Sequence, residues 1–376
     1  MTGQSQPGAD NNKRVFGYKA SLDGVRAIAV LLVMAQHLGY VHAGGLGVDI
    51  FFVLSGYLIT AILVSEFSAT GTISLKKFYA RRALRILPAV ILLLLVINIF
   101  VSIFQTSRQA SAVRWDSLAA LFYIANWLRA FGHDIGILGN LWSLSIEEQF
   151  YLFWPVTLLF FLSGRVSANF ILLLIGIGIL LVNLDRIYLY HGMESFNRIY
   201  NGLDTRADAL LIGSGLGVAG VPSLSRRILA ILGFAGAAFV TYVLFLGYPV
   251  PSDFQVAFGL TIGGTLFAAA TALALAALLA NPNNFFAKVL RLPPLVWTGR
   301  LSYGLYLWHF FVFAFIAGLF GSYQPRIIPL QMAATFSIAA LSYYLLERPC
   351  LKLKNRFTVI KTRVPTSPSP VESVGY

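Results

Sequence analysis

Apolar segments long enough to cross a lipid bilayer recur along nearly the whole chain. A spanning helix needs ~20 predominantly apolar residues, and most of the segments reach that length. They lie at about 24–42, 46–66, 84–104, 142–163, 168–190, 206–220, 227–247, 255–280, 300–321 and 327–347. The sequence therefore predicts an all-α, polytopic integral membrane protein with about ten transmembrane helices. The segment at 206–220 is the weakest of the ten, because it is short and rich in glycine.

Composition agrees with a membrane protein and argues against a nucleic-acid partner. Residues are 57% hydrophobic and 11% charged, whereas soluble domains carry about 25% charge. The net charge of +13 comes from basic residues in short loops beside apolar runs. That placement is typical of orientation signals and of contact with lipid headgroups. The single cysteine, Cys350, excludes an intramolecular disulfide and a cysteine metal cluster, and no metal site or bound cofactor is expected.

A shorter apolar segment at 117–130 decides the predicted topology. Counting it as an eleventh helix would place the two ends of the chain on opposite sides of the membrane. Both ends are basic, with Lys13, Arg14 and Lys19 at one and Lys352, Lys354, Arg356, Lys361 and Arg363 at the other. The positive-inside rule places such ends in the cytoplasm. We therefore expect ten spans of the inner (plasma) membrane, both termini cytoplasmic, and 117–130 re-entrant or lying at the outer interface.

The chain divides into one large domain and two polar ends. Residues 1–20 are expected to form a disordered cytoplasmic arm, and 21–350 the transmembrane domain. Residues 351–376 are basic and then rich in proline and serine, which predicts a disordered cytoplasmic tail. The first apolar segment lacks an obvious cleavage site, so it is interpreted as a signal-anchor helix.

Three ionisable residues, Asp23, Arg26 and His37, interrupt the first apolar segment. Arg26 and His37 are eleven residues apart, about three helical turns, so they share one face roughly 16 Å apart along the axis. Asp23 falls near the same stripe. Ionisable groups inside a spanning helix are costly and usually face an interior or a water-filled cavity. The stripe predicts the wall of an active site, with His37 near the middle of the membrane as a proton acceptor. A structural histidine bonded between helices is the alternative.

A basic cluster precedes the third apolar segment, within the sequence KKFYARRALRILP. Its members are Lys76, Lys77, Arg81, Arg82 and Arg85. Arg82 and Arg85 are three residues apart and so lie on one helix face, where guanidinium groups suit phosphate oxygens. Orientation in the membrane and contact with anionic lipid explain the same cluster equally well.

Acidic and aromatic residues gather at the predicted outer ends of the helices. Glu147 and Glu148 enter an apolar helix within NLWSLSIEEQFYLFWP, and being adjacent they point about 100° apart, so only one is expected to face the interior. A carboxylate there could orient a histidine or bind sugar hydroxyls, or could simply begin the helix. Asp208 lies at the outer mouth of another helix. His309, in SYGLYLWH, is as well explained by interhelical packing as by catalysis.

The chain resembles the acyltransferase-3 family of bacterial membrane acyltransferases. The resemblance covers roughly residues 20–350, and the matching pieces follow the family order: LDGVRAIAVLLVMAQH, GVDIFFVLSGYLIT, FYARRALRILP, NLWSLSIEEQFYLFWP, TRADALLIG, SYGLYLWH and LLERP. It implies an O-acyltransferase that uses an acyl-CoA donor, by default acetyl-CoA, and modifies a hydroxyl of a carbohydrate, often a surface polysaccharide. It implies His37 as the catalytic histidine, Arg26 as its partner, and Arg82 and Arg85 as the donor-side pair. Because a C-terminal esterase-like domain is missing, the stand-alone form is expected.

These observations combine into one hypothesis with one rival. Arg82 and Arg85 bind the phosphates of acyl-CoA, and His37 either deprotonates the acceptor hydroxyl or carries the acyl group. Glu147, Glu148 or Asp23 could stabilise the imidazolium, and Asp208 is a candidate substrate-binding residue. The expected partners are the lipid bilayer, acyl-CoA and a carbohydrate acceptor; the oligomeric state stays open. The rival is a proton-coupled transporter or flippase, since a buried Asp–Arg–His stripe also suits proton movement.

Overall fold

The computed structural model describes residues 17–41, 45–221, 225–245, 258–321, 324–354 and 357. Within these ranges all regular structure is helical, as the sequence predicts. The helices are α1 (Ala20–His37), α2 (Leu46–Thr70), α3 (Leu75–Phe104), α4 (Ser107–Leu121), α5 (Ala125–Ala130), α6 (Leu141–Ser163), α7 (Ala168–His191), α8 (Phe196–Asn201), α9 (Leu203–Ala219), α10 (Arg226–Phe245), α11 (Gly264–Ala280), α12 (Phe285–Leu290), α13 (Pro293–Leu319), α14 (Ile328–Ser342) and α15 (Arg348–Lys354). Most of the predicted arm and tail lie outside the described residues.

Eight helices in the described part of the chain are long and apolar enough to cross a membrane. They are α1, α2, α3, α7, α10, α11 with the π-helical turn before it, α13, and the continuous segment Pro325–Leu353 that contains α14. The other two predicted segments correspond to α6 and α9. Helix α6 carries Glu147 and Glu148 among its polar residues, and α9 has only 17 residues, so neither qualifies by length and composition. The count of ten spans stays a prediction.

The segment at 117–130 is divided between two helices rather than forming one. Helix α4 packs against α3, where Asn98 donates a 2.8 Å hydrogen bond to Ser117. The chain then reverses at Tyr123, whose φ of 57° is left-handed, and α5 returns beside α4. His133 and Asp116, on the two arms, are 2.7 Å apart. The result is a helical hairpin, and its re-entrant or interfacial position in the membrane stays a prediction.

Close backbone approaches fix the helices that surround the site. A Cβ at Gly299 of α13 would overlap the carbonyl of Asp23 in α1, and a Cβ at Gly213 of α9 would overlap the carbonyl of Val53 in α2. Glycine at these positions lets helix backbones pack closely, as small residues do in membrane bundles. Helices α1 and α13 run in the same direction, because Gly299 meets Asp23 near their first turns and His309 meets His37 further along.

Helix α6 lies between the two largest apolar clusters of the described residues. One face packs with α2, α7 and α9 through Trp142, Ile146 and Phe150. The other packs with α3 and α13 through Leu141 and Leu144. Its glutamates therefore lie in the interior of the bundle, where the helices that carry the predicted site residues meet.

Candidate active site

A cavity of about 190 Å³ lies between α1, α2, α3, α6 and α13. Its polar and charged lining residues are Arg26, Ser55, Arg82, Arg85, Ser143, Glu147, Ser302, Tyr303 and Tyr306, and apolar side chains such as Phe51 and Leu144 complete the wall. We call this space the arginine cavity. Four of the residues singled out from the sequence, Arg26, Arg82, Arg85 and Glu147, thus line one space although they come from three helices.

The three arginines of the cavity differ in their partners. Arg26 donates a 2.8 Å hydrogen bond to Asp23, its neighbour one turn earlier. Arg82 bonds Glu148 at 3.0 Å and lies 3.8 Å above the centre of the Tyr151 ring. Among the described residues, Arg85 makes no hydrogen bond and no ion pair. Its donors are therefore free to bind an anion in the cavity.

The two adjacent glutamates of α6 have separate partners. Glu147 lines the cavity and accepts a hydrogen bond from Ser55 of α2. Glu148 is outside the lining and forms the ion pair with Arg82. Glu147 and Glu347 lie within electrostatic range of Arg85 without hydrogen-bonding to it. The structure therefore places Glu147 inside the site and gives Glu148 the position of a residue that orients Arg82.

His37 is the last residue of α1. Its Nδ1 lies 2.8 Å from the carbonyl oxygen of Val33, and because a carbonyl only accepts, Nδ1 is the donor. The neutral ring then carries its lone pair on Nε2, which has no hydrogen-bond partner among the described residues. His37 thus presents the nitrogen that a general base or a nucleophile needs.

The histidine lies within the length of the bundle although α1 ends there. Its ring centre is 5.0 Å from that of His309 and 5.2 Å from that of Phe310, both in α13. Helix α13 continues to Leu319, about 15 Å beyond His309 at 1.5 Å per residue. This arrangement is compatible with the depth expected for His37 from the sequence.

Tyr306 separates the arginine cavity from the two histidines. Its side chain lines the cavity, and its ring centre is 5.7 Å from that of His309. Its hydroxyl donates to the carbonyl of Asn140 at 2.9 Å and lies 2.6 Å from the hydroxyl of Ser143. His37 itself is not among the lining residues. A ligand that enters beside the arginines therefore meets Tyr306 before it reaches His37.

Asp208 lies in a different part of the protein from the other predicted site residues. It forms a buried ion pair with Arg186 and accepts a hydrogen bond from Thr265 at 2.6 Å. Nearby, Arg206 donates to both carboxylate oxygens of Asp49, at 2.9 and 3.0 Å. We call Asp49, Arg186, Arg206 and Asp208 the ion-pair cluster. It is buried between α2, α7 and α9 and contributes no residue to the lining of the arginine cavity.

Two residues, Tyr306 at the arginine cavity and Arg186 in the ion-pair cluster, were not singled out from the sequence. Tyr306 precedes His309 by three residues, a spacing that places both on one helix face and that could have pointed to it. Arg186 has no such local signal, because its partner comes from another helix. Among the described residues, no group of three or more His, Cys, Asp or Glu side chains could hold a metal ion.

Comparison with known proteins gives the class. Residues 19–347 match the acyltransferase-3 family, described as an acyltransferase domain. The peptidoglycan O-acetyltransferase OatA of Listeria monocytogenes is 38% identical over 355 residues, which is 89% of this chain and 56% of the relative. The O-acetyltransferase OatA of Staphylococcus aureus is 34% identical over 356 residues, 89% of this chain and 57% of the relative. No solved structure matches the chain.

The chain belongs to the acyltransferase-3 family of membrane acyltransferases, and it is a multi-pass membrane protein. It spans little more than half the length of the curated relatives that it matches. The family assignment rests on nearly all of the helical domain. What the whole relatives act on is therefore carried to this chain only as a proposal.

Proposed function

We propose that the protein is a membrane O-acyltransferase that moves an acyl group, acetyl by preference, from acyl-CoA to a hydroxyl of a carbohydrate. One observation carries the proposal: His37 and Arg85, whose Nε2 and guanidinium donors have no partner among the described residues, lie on the two sides of Tyr306. Arg26, which lies beside Arg85, and His37, which ends α1, are about 16 Å apart along the axis of α1. An acyl-CoA has matching ends, because a flexible pantetheine arm separates its phosphates from its thioester.

The donor binds with its phosphates at the arginines. Arg85 offers unused donors, and Arg82 is held in place by Glu148 and by the Tyr151 ring. Guanidinium groups bind phosphate oxygens through paired hydrogen bonds. The apolar wall from Phe51 to Leu144 suits the pantetheine arm, and Tyr306 must move aside for the thioester to approach His37.

The transfer step uses His37 as the proton acceptor. The acceptor hydroxyl attacks the thioester carbonyl carbon while its proton passes to His37 Nε2. The carbon–sulfur bond breaks, and the thiolate takes the proton to give free CoA. A route in which His37 carries the acyl group needs the same nitrogen and has the same balance of atoms. Glu147 and Glu148 act at the donor end in this scheme, since neither is hydrogen-bonded to His37.

The acceptor is proposed to be a carbohydrate hydroxyl, such as that of a surface or exopolysaccharide unit. The name of the Listeria relative, a peptidoglycan O-acetyltransferase, supports a glycan. The basic ends of the chain and of its short loops support an inner (plasma) membrane orientation with both termini cytoplasmic. In that orientation Arg26, Arg82 and Arg85 face the cytoplasm, where acyl-CoA is available.

The test is release of free thiol from acetyl-CoA by the purified protein in detergent or nanodiscs, with a panel of glycan acceptors. Acceptor-dependent release, together with mass gain of the glycan by one acetyl group, is the expected result. Movement of a labelled glycan across proteoliposomes without thiol release would instead identify a transporter. Release that persists in His37→Ala would contradict the assigned site.

A further inference from the structure

A second histidine, His309, lies against His37 and is not explained by the proposed mechanism. Its side chain is completely buried in α13, and its Nε2 has no hydrogen-bond partner among the described residues. Its Nδ1 lies 2.8 Å from the carbonyl oxygen of Tyr306 and 3.2 Å from that of Leu305. Both neighbours are acceptors, so Nδ1 carries the hydrogen and Nε2 carries the lone pair.

A buried acceptor without a partner costs free energy that an apolar residue would avoid. Such a group calls for an explanation beyond packing. His309 is packed among the rings of Tyr306, Phe310 and Phe313. In these surroundings a phenylalanine would fill the space without leaving a buried polar atom unsatisfied. The neighbouring imidazole is that of His37, whose ring centre lies 5.0 Å away and whose plane is tilted by 58°.

Among the described residues, no carboxylate is hydrogen-bonded to His37, although a catalytic histidine usually has such a partner. Asp23 is bonded to Arg26 and to Tyr18. Glu148 is bonded to Arg82, and Glu147 to Ser55. A protonated His37 therefore needs another acceptor, and its neighbouring ring is that of His309, whose Nε2 has no partner among the described residues.

We propose that His309 is a positioning residue whose Nε2 accepts a hydrogen bond from the Nε2–H of protonated His37. The inference rests on the proposed function. When the acceptor hydroxyl attacks the thioester, its proton forms a bond to His37 Nε2 and is shared with His309 Nε2 as N–H···N. As the carbon–sulfur bond breaks, the same proton leaves His37 for the thiolate, and the His37 ring returns to neutral, while His309 stays neutral throughout. No oxidant, metal or further reactant is needed.

The decisive variant is His309→Asn. The asparagine amide keeps a donor near the position of Nδ1 for the Tyr306 carbonyl and has no group at the position of Nε2. Loss of a partner that orients a metal-bound histidine typically costs 10- to 100-fold, and on that scale we expect kcat to fall by about the same factor with KM for acetyl-CoA unchanged. His309→Gln, whose amide oxygen can reach the position of Nε2, should recover part of the loss. His191→Asn, at the exposed end of α7, is the matched control and should behave as wild type.

A double-mutant comparison separates this role from a structural one. In a His37→Ala background, adding His309→Asn should reduce turnover no further, because coupled residues are not additive. A His309→Asn protein with wild-type kcat, or with a raised KM alone, would overturn the inference while leaving the proposed function intact. Absence of thiol release by the wild type would instead refute the proposed function.

If the wild type releases no thiol, the inference can still be tested by NMR, which does not require turnover. The chain has five histidines, so ¹⁵N-histidine labelling gives a resolvable set of imidazole signals. We expect the His37 and His309 signals to titrate as one coupled pair, and His309→Asn to shift the His37 Nε2 signal. A His37 signal that is unaffected by His309→Asn would overturn the inference whether or not the enzyme turns over.

Discussion

The arginine cavity and the ion-pair cluster contain similar residues in opposite states. The ion-pair cluster matches Arg186 with Asp208 and Arg206 with Asp49. The arginine cavity leaves Arg85 without a hydrogen bond or ion pair among the described residues, and the Nε2 atoms of the nearby histidines are unpartnered as well. Both regions lie in the interior of the same bundle. The difference is whether the protein itself satisfies the buried polar groups.

Buried charges that are paired within the protein stabilise the fold, whereas buried polar groups without a partner are available to bind a ligand. A buried charge is costly unless it is paired, and removing one partner of a buried pair leaves the other uncompensated. Changes in the ion-pair cluster should therefore reduce stability. Changes at Arg85 and His37 should reduce activity while leaving the fold nearly as stable as before.

The largest expected effect is at the catalytic end of the site. His37→Ala removes the free Nε2, and general acid–base groups typically contribute 10²- to 10⁴-fold. We expect thiol release from acetyl-CoA to fall by at least about 10²-fold, with a melting temperature close to that of the wild type. His191→Ala is the control, since His191 lies at the far end of α7. Equal losses of melting temperature and activity would mean that His37 has a structural role.

Asp208→Asn should produce the next largest effect, on stability. The substitution leaves Arg186 buried without an anionic partner, and breaking such a pair costs about 3–5 kcal/mol. We expect the unfolding free energy, measured by denaturant titration in detergent, to fall by an amount in that range. The folded fraction should keep the wild-type KM for acetyl-CoA. Normal stability with a raised KM for the acceptor would instead support the substrate-binding role predicted from the sequence for Asp208.

Arg85→Gln should affect donor binding and not the fold. Hydrogen bonds to charged groups contribute about 1.5–3 kcal/mol, so KM for acetyl-CoA should rise by roughly 10- to 100-fold. The unfolding free energy should change little, because Arg85 makes no hydrogen bond or ion pair with another described residue. Acetyl-pantetheine, which lacks the nucleotide phosphates, should be used equally well by variant and wild type.

Lys77→Gln is the matched control for that variant. Lys77 belongs to the same basic cluster and the same helix, and the charge change is identical, but its side chain is exposed. Its KM for acetyl-CoA should stay at the wild-type value. A rise comparable with that of Arg85→Gln would mean that general charge at this end of the protein, rather than the cavity, attracts the donor.

The sequence predicts those features of the site that depend on spacing within one helix. The eleven-residue spacing from Arg26 to His37 and the three-residue spacing from Arg82 to Arg85 are helix periodicities, and the structure places three of these residues in one cavity. The charge balance between the two ends predicts only that 117–130 is not a full span, and its division into two helices comes from the structure. Such relations need only the geometry of one helix or the count of spans.

The remaining features depend on which helices pack together. The sequence places Asp208 at a helix end, but its partner Arg186 is on α7, so its burial could not be read from α9 alone. Likewise, His309 meets His37 only because α1 and α13 run in parallel. The position of Tyr306 between the cavity and the histidines also depends on how α13 packs, because the Tyr306 hydroxyl is hydrogen-bonded to Ser143 in the first turn of α6. Tertiary contacts of this kind leave no periodic signal.

Asp204→Asn is expected to have the smallest effect, and it is the closest match to Asp208→Asn because both change an aspartate of α9 that pairs with an arginine. Asp204 lies on α9 one turn before Asp208 and pairs with Arg198 at 2.6 Å, but its side chain is 40% exposed. The hydrogen bond from Arg198 to Asp204 raises the pKa of Arg198, so that arginine stays charged. Its side chain is 15% exposed, against 2% for Arg186, so water reaches it in the variant. Exposed ion pairs contribute at most about 1 kcal/mol. We expect the unfolding free energy to fall by no more than that, against several times as much for the same substitution at Asp208. Equal losses at the two positions would show that burial is not what distinguishes the stabilising charges of this protein from the others.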